Sequence, residues 1–167
     1  TQSRSSAASD VYKRQHSTWL DFIGESVERV VVNGVERDVI YDGARIELRD
    51  LADTNVVRVE AVGSYSRSGE GLHRFHDPVD DRTYLYTQYE PADSRRVMAC
   101  FEQPDIKAPY TFVIDAPAGW EVLSNQVAAT VDAGVGVQRV EFAPTLPISS
   151  YITSVLSLIH ISSPRDR

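Results

Sequence analysis

Residues 27–48 read VERVVVNGVERDVIYDGARIEL, and two dipeptides inside that stretch decide the fold class. VERVVV at 27–32 is rich in β-branched residues, whose stiff side chains suit a pleated strand better than a helix. Asn33-Gly34 follows at once, and this pair tolerates the positive φ angles that a two-residue hairpin turn demands. VERDVIY supplies the return strand. Asp42-Gly43 then turns the chain into ARIEL, where Ala44, Ile46 and Leu48 alternate with Arg45, Glu47 and Arg49. That period of two is expected where one strand face is buried.

The same reading extends outward. TWLDFI (18–23), NVVRVEAVGSYS (55–66), TYLYTQYE (83–90), YTFVIDA (110–116), WEVLSN (120–125), VQRVEFA (137–143) and SSYITSV (149–155) are all strand-like runs bounded by turn residues. Short strands at such spacing predict an all-β, mostly antiparallel sheet or sandwich, read as one domain. ADSRRVMACF (92–101) is the one helix-like run, and it predicts a short helical turn near 93–99. The segment from Ser66 to Arg82, SRSGEGLHRFHDPVDDR, is expected to be a long polar loop, a class of segment that often carries function.

The chain has 167 residues, enough for one domain with a core. Its net charge of −7 argues against a nucleic-acid partner, which calls for a basic face. The apolar runs are too short for a helical membrane span, so a soluble protein is expected. Cys100 is the single cysteine, which excludes an internal disulfide and a cysteine-based zinc cage. A reducing, cytoplasmic setting follows as the expectation. TQSRSSAASDVYKRQ (1–15) and the tail from residue 156 to 167 resemble translated adapter or vector sequence. The domain is therefore bounded at 16–155, with both tails expected to be non-native and His160 set aside as a ligand.

Few constellations point to chemistry. His73 and His76 stand three apart with Asp77, Asp80 and Asp81 behind them, a spacing that would align both imidazoles on a helix. Gly69, Gly71 and Pro78 oppose a helix there, so the segment is read as a solvated acidic loop and no metal is assigned. There is no G-x-S-x-G elbow, no phosphate-binding glycine loop and no H-E-x-x-H, and no catalytic residue is assigned. In TQYEPADSRRVMACFEQPDIKAPY (87–110), Gln88 and Glu90 are two apart and project from one face of an extended chain. An amide oxygen beside a carboxylate can receive an ammonium group, although from composition alone an exposed polar strand face is the favoured reading. Arg95 and Arg96 could pair with Glu90, Glu102 or Asp105. Phe101 is expected in the core, and Pro104 is expected to stop the turn.

Thr87-Gln88-Tyr89-Glu90, Ser94-Arg95-Arg96, Cys100-Phe101-Glu102-Gln103-Pro104 and Lys107-Ala108 follow one another in the order of a known family. The stretch resembles the N-terminal β domain of the aminopeptidase N family of zinc metallopeptidases, whose pattern is TQ-x-E, A-R-R, CF-[DE]-[EQ]-P and K-A. SYSRSGEGLHRFHDP (64–78) and PTLPISSYIT (144–153) add to the likeness, which spans about residues 17–155 and is strongest to actinobacterial members. Ser94 stands where the family has alanine.

The resemblance implies a saddle-shaped β domain packed on a thermolysin-like catalytic domain. It also implies that Gln88 and Glu90 bind the α-amine of a peptide substrate's N-terminal residue. Arg95, Arg96, Phe101, Pro104 and Lys107 are implied to be structural. The zinc ligands and the general base would lie in a following domain, so this chain is expected to be a truncated fragment, inactive by itself and binding no catalytic zinc. A non-catalytic β-sandwich binding module is the competing reading.

Overall fold

A computed structural model describes residues 16–159. Its elements are almost all strands, and every ladder between named strands is antiparallel. They group into two compact units: described residues 16–64 with 96–101, and 65–95 with 102–159. The expected single sheet or sandwich is thus resolved into four small sheets.

The first unit is built around the two turns that the sequence marks. Strands β2 (Ser26–Val32) and β3 (Val35–Arg37) form a hairpin, and β2 pairs on its other edge with β5 (Val57–Val62). Between them Asn33 has φ 52° and Gly34 has φ 80°, the pair of positive angles that the hairpin turn needs. Asn33 also ties this turn to the start of β5, for its Oδ1 accepts the Val56 amide at 2.8 Å. The second turn feeds β4 (Arg45–Leu48), which pairs with β1 (Thr18–Asp21). Asp42 Oδ1 accepts the amides of Ala44 and Arg45 at 2.8 and 2.7 Å, and these bonds hold its carboxyl below the usual carboxylate range.

Alternation then sets the core. Leu20, Phe22, Val30, Val32, Ile46 and Leu48 are all turned inward, and they form one cluster. The edge of β1 is completed by Cys100, whose amide and carbonyl both pair with Asp21, at 3.1 and 2.8 Å.

In the second unit β6 (Gly71–Asp77), β7 (Arg82–Gln88), β12 (Val155–Ile159) and β9 (Trp120–Ser124) form one sheet in the order β6-β7-β12-β9. β10 (Ala128–Ala133), β11 (Val137–Phe142) and β8 (Val113–Pro117) form another. Ala116, Val122, Val140 and Phe142 make this unit's core cluster.

Three expectations change. The loop expected over 66–82 holds β6, an edge strand whose polar face hides its period, and seven residues of it pair in register with β7. The helical run of 92–101 shrinks to a 3-10 turn at Ser94–Arg96, because Pro91 lies before it and Cys100 is drawn into pairing with Asp21. The strand expected to end at 155 begins there. Ser150–Ile152 is a 3-10 turn, closed by Thr153 Oγ1 on the Ser150 carbonyl at 2.7 Å. β12 then runs through Ile159 between β7 and β9, so the boundary drawn at 155 falls inside the fold. The tails at 1–15 and 160–167 lie outside the described residues.

Two substitutions test the first unit. Ile46 is fully buried, and Ile46→Ala should cost about 2–5 kcal/mol in urea unfolding. Gly24 has no room for a side chain, since a Cβ would lie 2.5 Å from Phe22 Cζ and 2.6 Å from the Val62 carbonyl. Gly24→Ala should therefore destabilise by roughly 1–3 kcal/mol, and an unchanged urea midpoint would contradict this packing.

Candidate functional site

β7 ends at Gln88, which lies opposite Gly71 in the ladder. Alternation puts Tyr84, Tyr86 and Gln88 on one face of the strand. The Tyr86 ring packs against His73 of the neighbouring strand, with centroids 4.9 Å apart. Between Tyr86 and Gln88, Thr87 turns the other way and its Oγ1 accepts the Val155 amide at 2.9 Å. The strand is thereby held just before its last residue.

Beyond Gln88 the chain dips inward and out again. Tyr89 is only 3% exposed, whereas Gln88 and Glu90 are both exposed. Burying the tyrosine sends the two flanking polar side chains to solvent. Among the described residues neither of those side chains makes a hydrogen bond or an ion pair. The Glu90-Pro91 peptide is cis, and the Asp93 amide returns to the Tyr89 carbonyl at 2.8 Å.

The turn that follows is organised by Glu102. Its Oε1 accepts the Ser94 hydroxyl at 3.0 Å and the Ser150 hydroxyl at 3.1 Å, and its Oε2 accepts the Arg95 amide at 2.7 Å. Ser94 itself is fully buried. For Arg95 the bond to Glu102 comes from the backbone amide. Arg95 Nε is buried and has no hydrogen-bond partner among the described residues. The sequence marked Ser94 only as a departure from the family's alanine and did not single out Ser150, since serines are too common there for their type alone to reveal a role.

The other motif residues divide. Arg96 is half-buried in the first unit. Phe101 is 43% exposed rather than in the core, because Cys100 takes the inward position when it pairs with Asp21 and alternation turns the next residue out. Pro104 sits inside a turn closed by the Ile106 amide on the Gln103 carbonyl at 3.0 Å, as its fixed φ favours. The Pro104 carbonyl also accepts the Ser149 hydroxyl. Lys107 is exposed, and the anchoring is done by the backbone of Ala108, paired with Ile148.

His73 and His76 are three apart on β6, so the strand sends them to opposite faces. His76 Nε2 lies 3.1 Å from Asp81 Oδ1 in the hairpin turn. There Tyr84 donates to Asp80, which holds its phenol above the usual tyrosine value. Among the described residues no group of three or more His, Cys, Asp or Glu could hold a metal ion. What the site can do is accept hydrogen bonds. An exposed amide oxygen and a carboxylate two positions apart offer acceptors to a cation with several donors.

Comparison with known proteins agrees with this architecture. Aminopeptidase N of Streptomyces lividans is 43% identical over 150 residues, which cover 88% of this chain and 17% of that protein. Probable M1 family aminopeptidase 1 of Encephalitozoon cuniculi is 29% identical over 159 residues, 79% of this chain and 18% of the relative. The solved M1 zinc metallopeptidase of Deinococcus radiodurans superposes with a TM-score of 0.71 at 19% identity, over 85% of this chain and 34% of that one. The chain thus spans about a fifth of the curated relatives' length. Residues 36–152 match the Peptidase M1 N-terminal domain, and the chain belongs to that family.

Proposed function

We propose that this chain is the N-terminal domain of a zinc aminopeptidase, in which Gln88 and Glu90 receive the α-amine of a peptide's N-terminal residue. The observation that carries the reading is the display of two polar side chains, both exposed and without partners among the described residues, on either side of the buried Tyr89. A protonated amine offers three donors. The Gln88 amide oxygen can accept one and the Glu90 carboxylate another, and the charged acceptor gives the stronger bond. A peptide ligand is in keeping with the fold family. A Deinococcus radiodurans M1 zinc metallopeptidase of the same fold has been solved with a Tyr-Ser-Ala substrate, at a TM-score of 0.71 and 18% identity.

Zinc and the bond-breaking chemistry belong, on this reading, to the remainder of the protein. The described residues do not fit the ion: His73 and His76 diverge across a strand, and no cluster of donors converges elsewhere among them. The part played here is recognition. By holding the amine, the pair would fix which end of a peptide enters and how far it reaches, a positioning role on which the rate of a later step can depend strongly. A catalytic domain is the proposed protein partner, and peptide N-termini are the proposed ligands.

Amide shifts of the chain, recorded during titration with a short peptide at millimolar concentration, should move at Gln88 and Glu90. The N-acetylated peptide should move them far less. Glu90→Ala should weaken the amine-dependent response roughly tenfold or more, since a charge-assisted hydrogen bond contributes ~1.5–3 kcal/mol. An equal response to both peptides would overturn the assignment. Purified chain equilibrated with zinc should carry no stoichiometric metal, and a full equivalent that disappears in His73→Ala would contradict the strand geometry.

A further inference from the structure

We infer that Glu102 is a positioning residue for the Gln88–Glu90 pair, acting through the turn behind it; this rests on the amine-binding reading of that pair. Glu102 is half-buried, and a carboxylate in that setting needs acceptors filled. Its donors include the Ser94 hydroxyl, the Arg95 amide and the Ser150 hydroxyl, at 3.0, 2.7 and 3.1 Å. The Arg95 amide is the significant one, because it would otherwise be a turn donor without a partner.

The clamp sets the position of the displayed pair by closing a chain of short links. Glu90 is four residues from Ser94, and the Asp93 amide on the Tyr89 carbonyl, at 2.8 Å, spans most of that gap. On the other side Ser150 belongs to the 3-10 turn Ser150–Ile152, which leads into β12. There the Val155 amide reaches Thr87, next to Gln88, at 2.9 Å. Ser154 is fixed in turn by Asn125 Oδ1, which accepts its amide at 2.7 Å. Gln88 and Glu90 are thus gripped from both directions, and the Glu102 carboxylate is where the two grips meet. With it removed, the polar pair would keep its chemistry and lose its fixed spacing, which is what an oriented ammonium site requires.

The test compares the chain with its Glu102→Ala, Glu102→Gln and Ser150→Ala forms by amide hydrogen exchange and by the peptide titration. Glu102→Ala should raise exchange of the Arg95 amide at least roughly tenfold, while amides of Val30 and Val32 in the first unit stay protected. Its amine-dependent shifts at Gln88 and Glu90 should be largely lost. Glu102→Gln keeps an acceptor for the Arg95 amide and should restore part of both responses. Ser150→Ala should give a smaller loss, and it decides the matter if Glu102→Ala does not fold. A folded Glu102→Ala chain with unchanged Arg95 exchange and unchanged titration would overturn the inference. If the unmodified chain shows no amine-dependent response at all, the reading of Gln88 and Glu90 fails, and exchange alone still decides whether the clamp holds the turn.

Discussion

A carboxylate taken partly out of water must have its oxygens satisfied, and Glu102 meets that demand with donors from two separate turns. The arrangement explains why Ser94 is buried. It also explains why the SSYIT segment bends before it enters β12. Two hydroxyls and a backbone amide hold the carboxylate. The cost of ordering these groups is offset because they belong to short turns whose backbone is already closed.

Around that clamp the sheet supplies direction. β7 lies between β6 and β12, so its backbone is bonded on both sides and its side-chain alternation is fixed. The alternation carries past the end of the strand through Tyr89, whose burial decides that Gln88 and Glu90 face outward. A one-residue slip would bury the polar pair and expose the tyrosine, so register is the condition for any recognition role here.

Much of this was legible in the sequence where local chemistry and tertiary structure agree. Asn33-Gly34 demanded a hairpin turn and found one, and ARIEL alternated as a half-buried strand should. The TQ-x-E order gave the family, which the match over residues 36–152 establishes. The failures share a cause. GLHRFHD has no β-branched residue and became a strand because RTYLYTQ offered it a complete ladder. Phe101 looked like a core residue by type, yet the pairing of its neighbour Cys100 turned it to solvent. Ser150 gained its role from a residue far away in sequence, and no window of neighbouring residues contains that information.

The pairing of Asp21 with Cys100 has a consequence for the order of events during synthesis. The first unit contains residues up to 64 and then waits for the segment 96–101 before the edge of β1 is closed. While the ribosome is producing β6 and β7, that edge stands with its backbone groups open to water or to other chains. An early-emerging half of the domain is therefore an unfinished sheet. Its completion awaits the segment 96–101, which follows the candidate amine site in sequence.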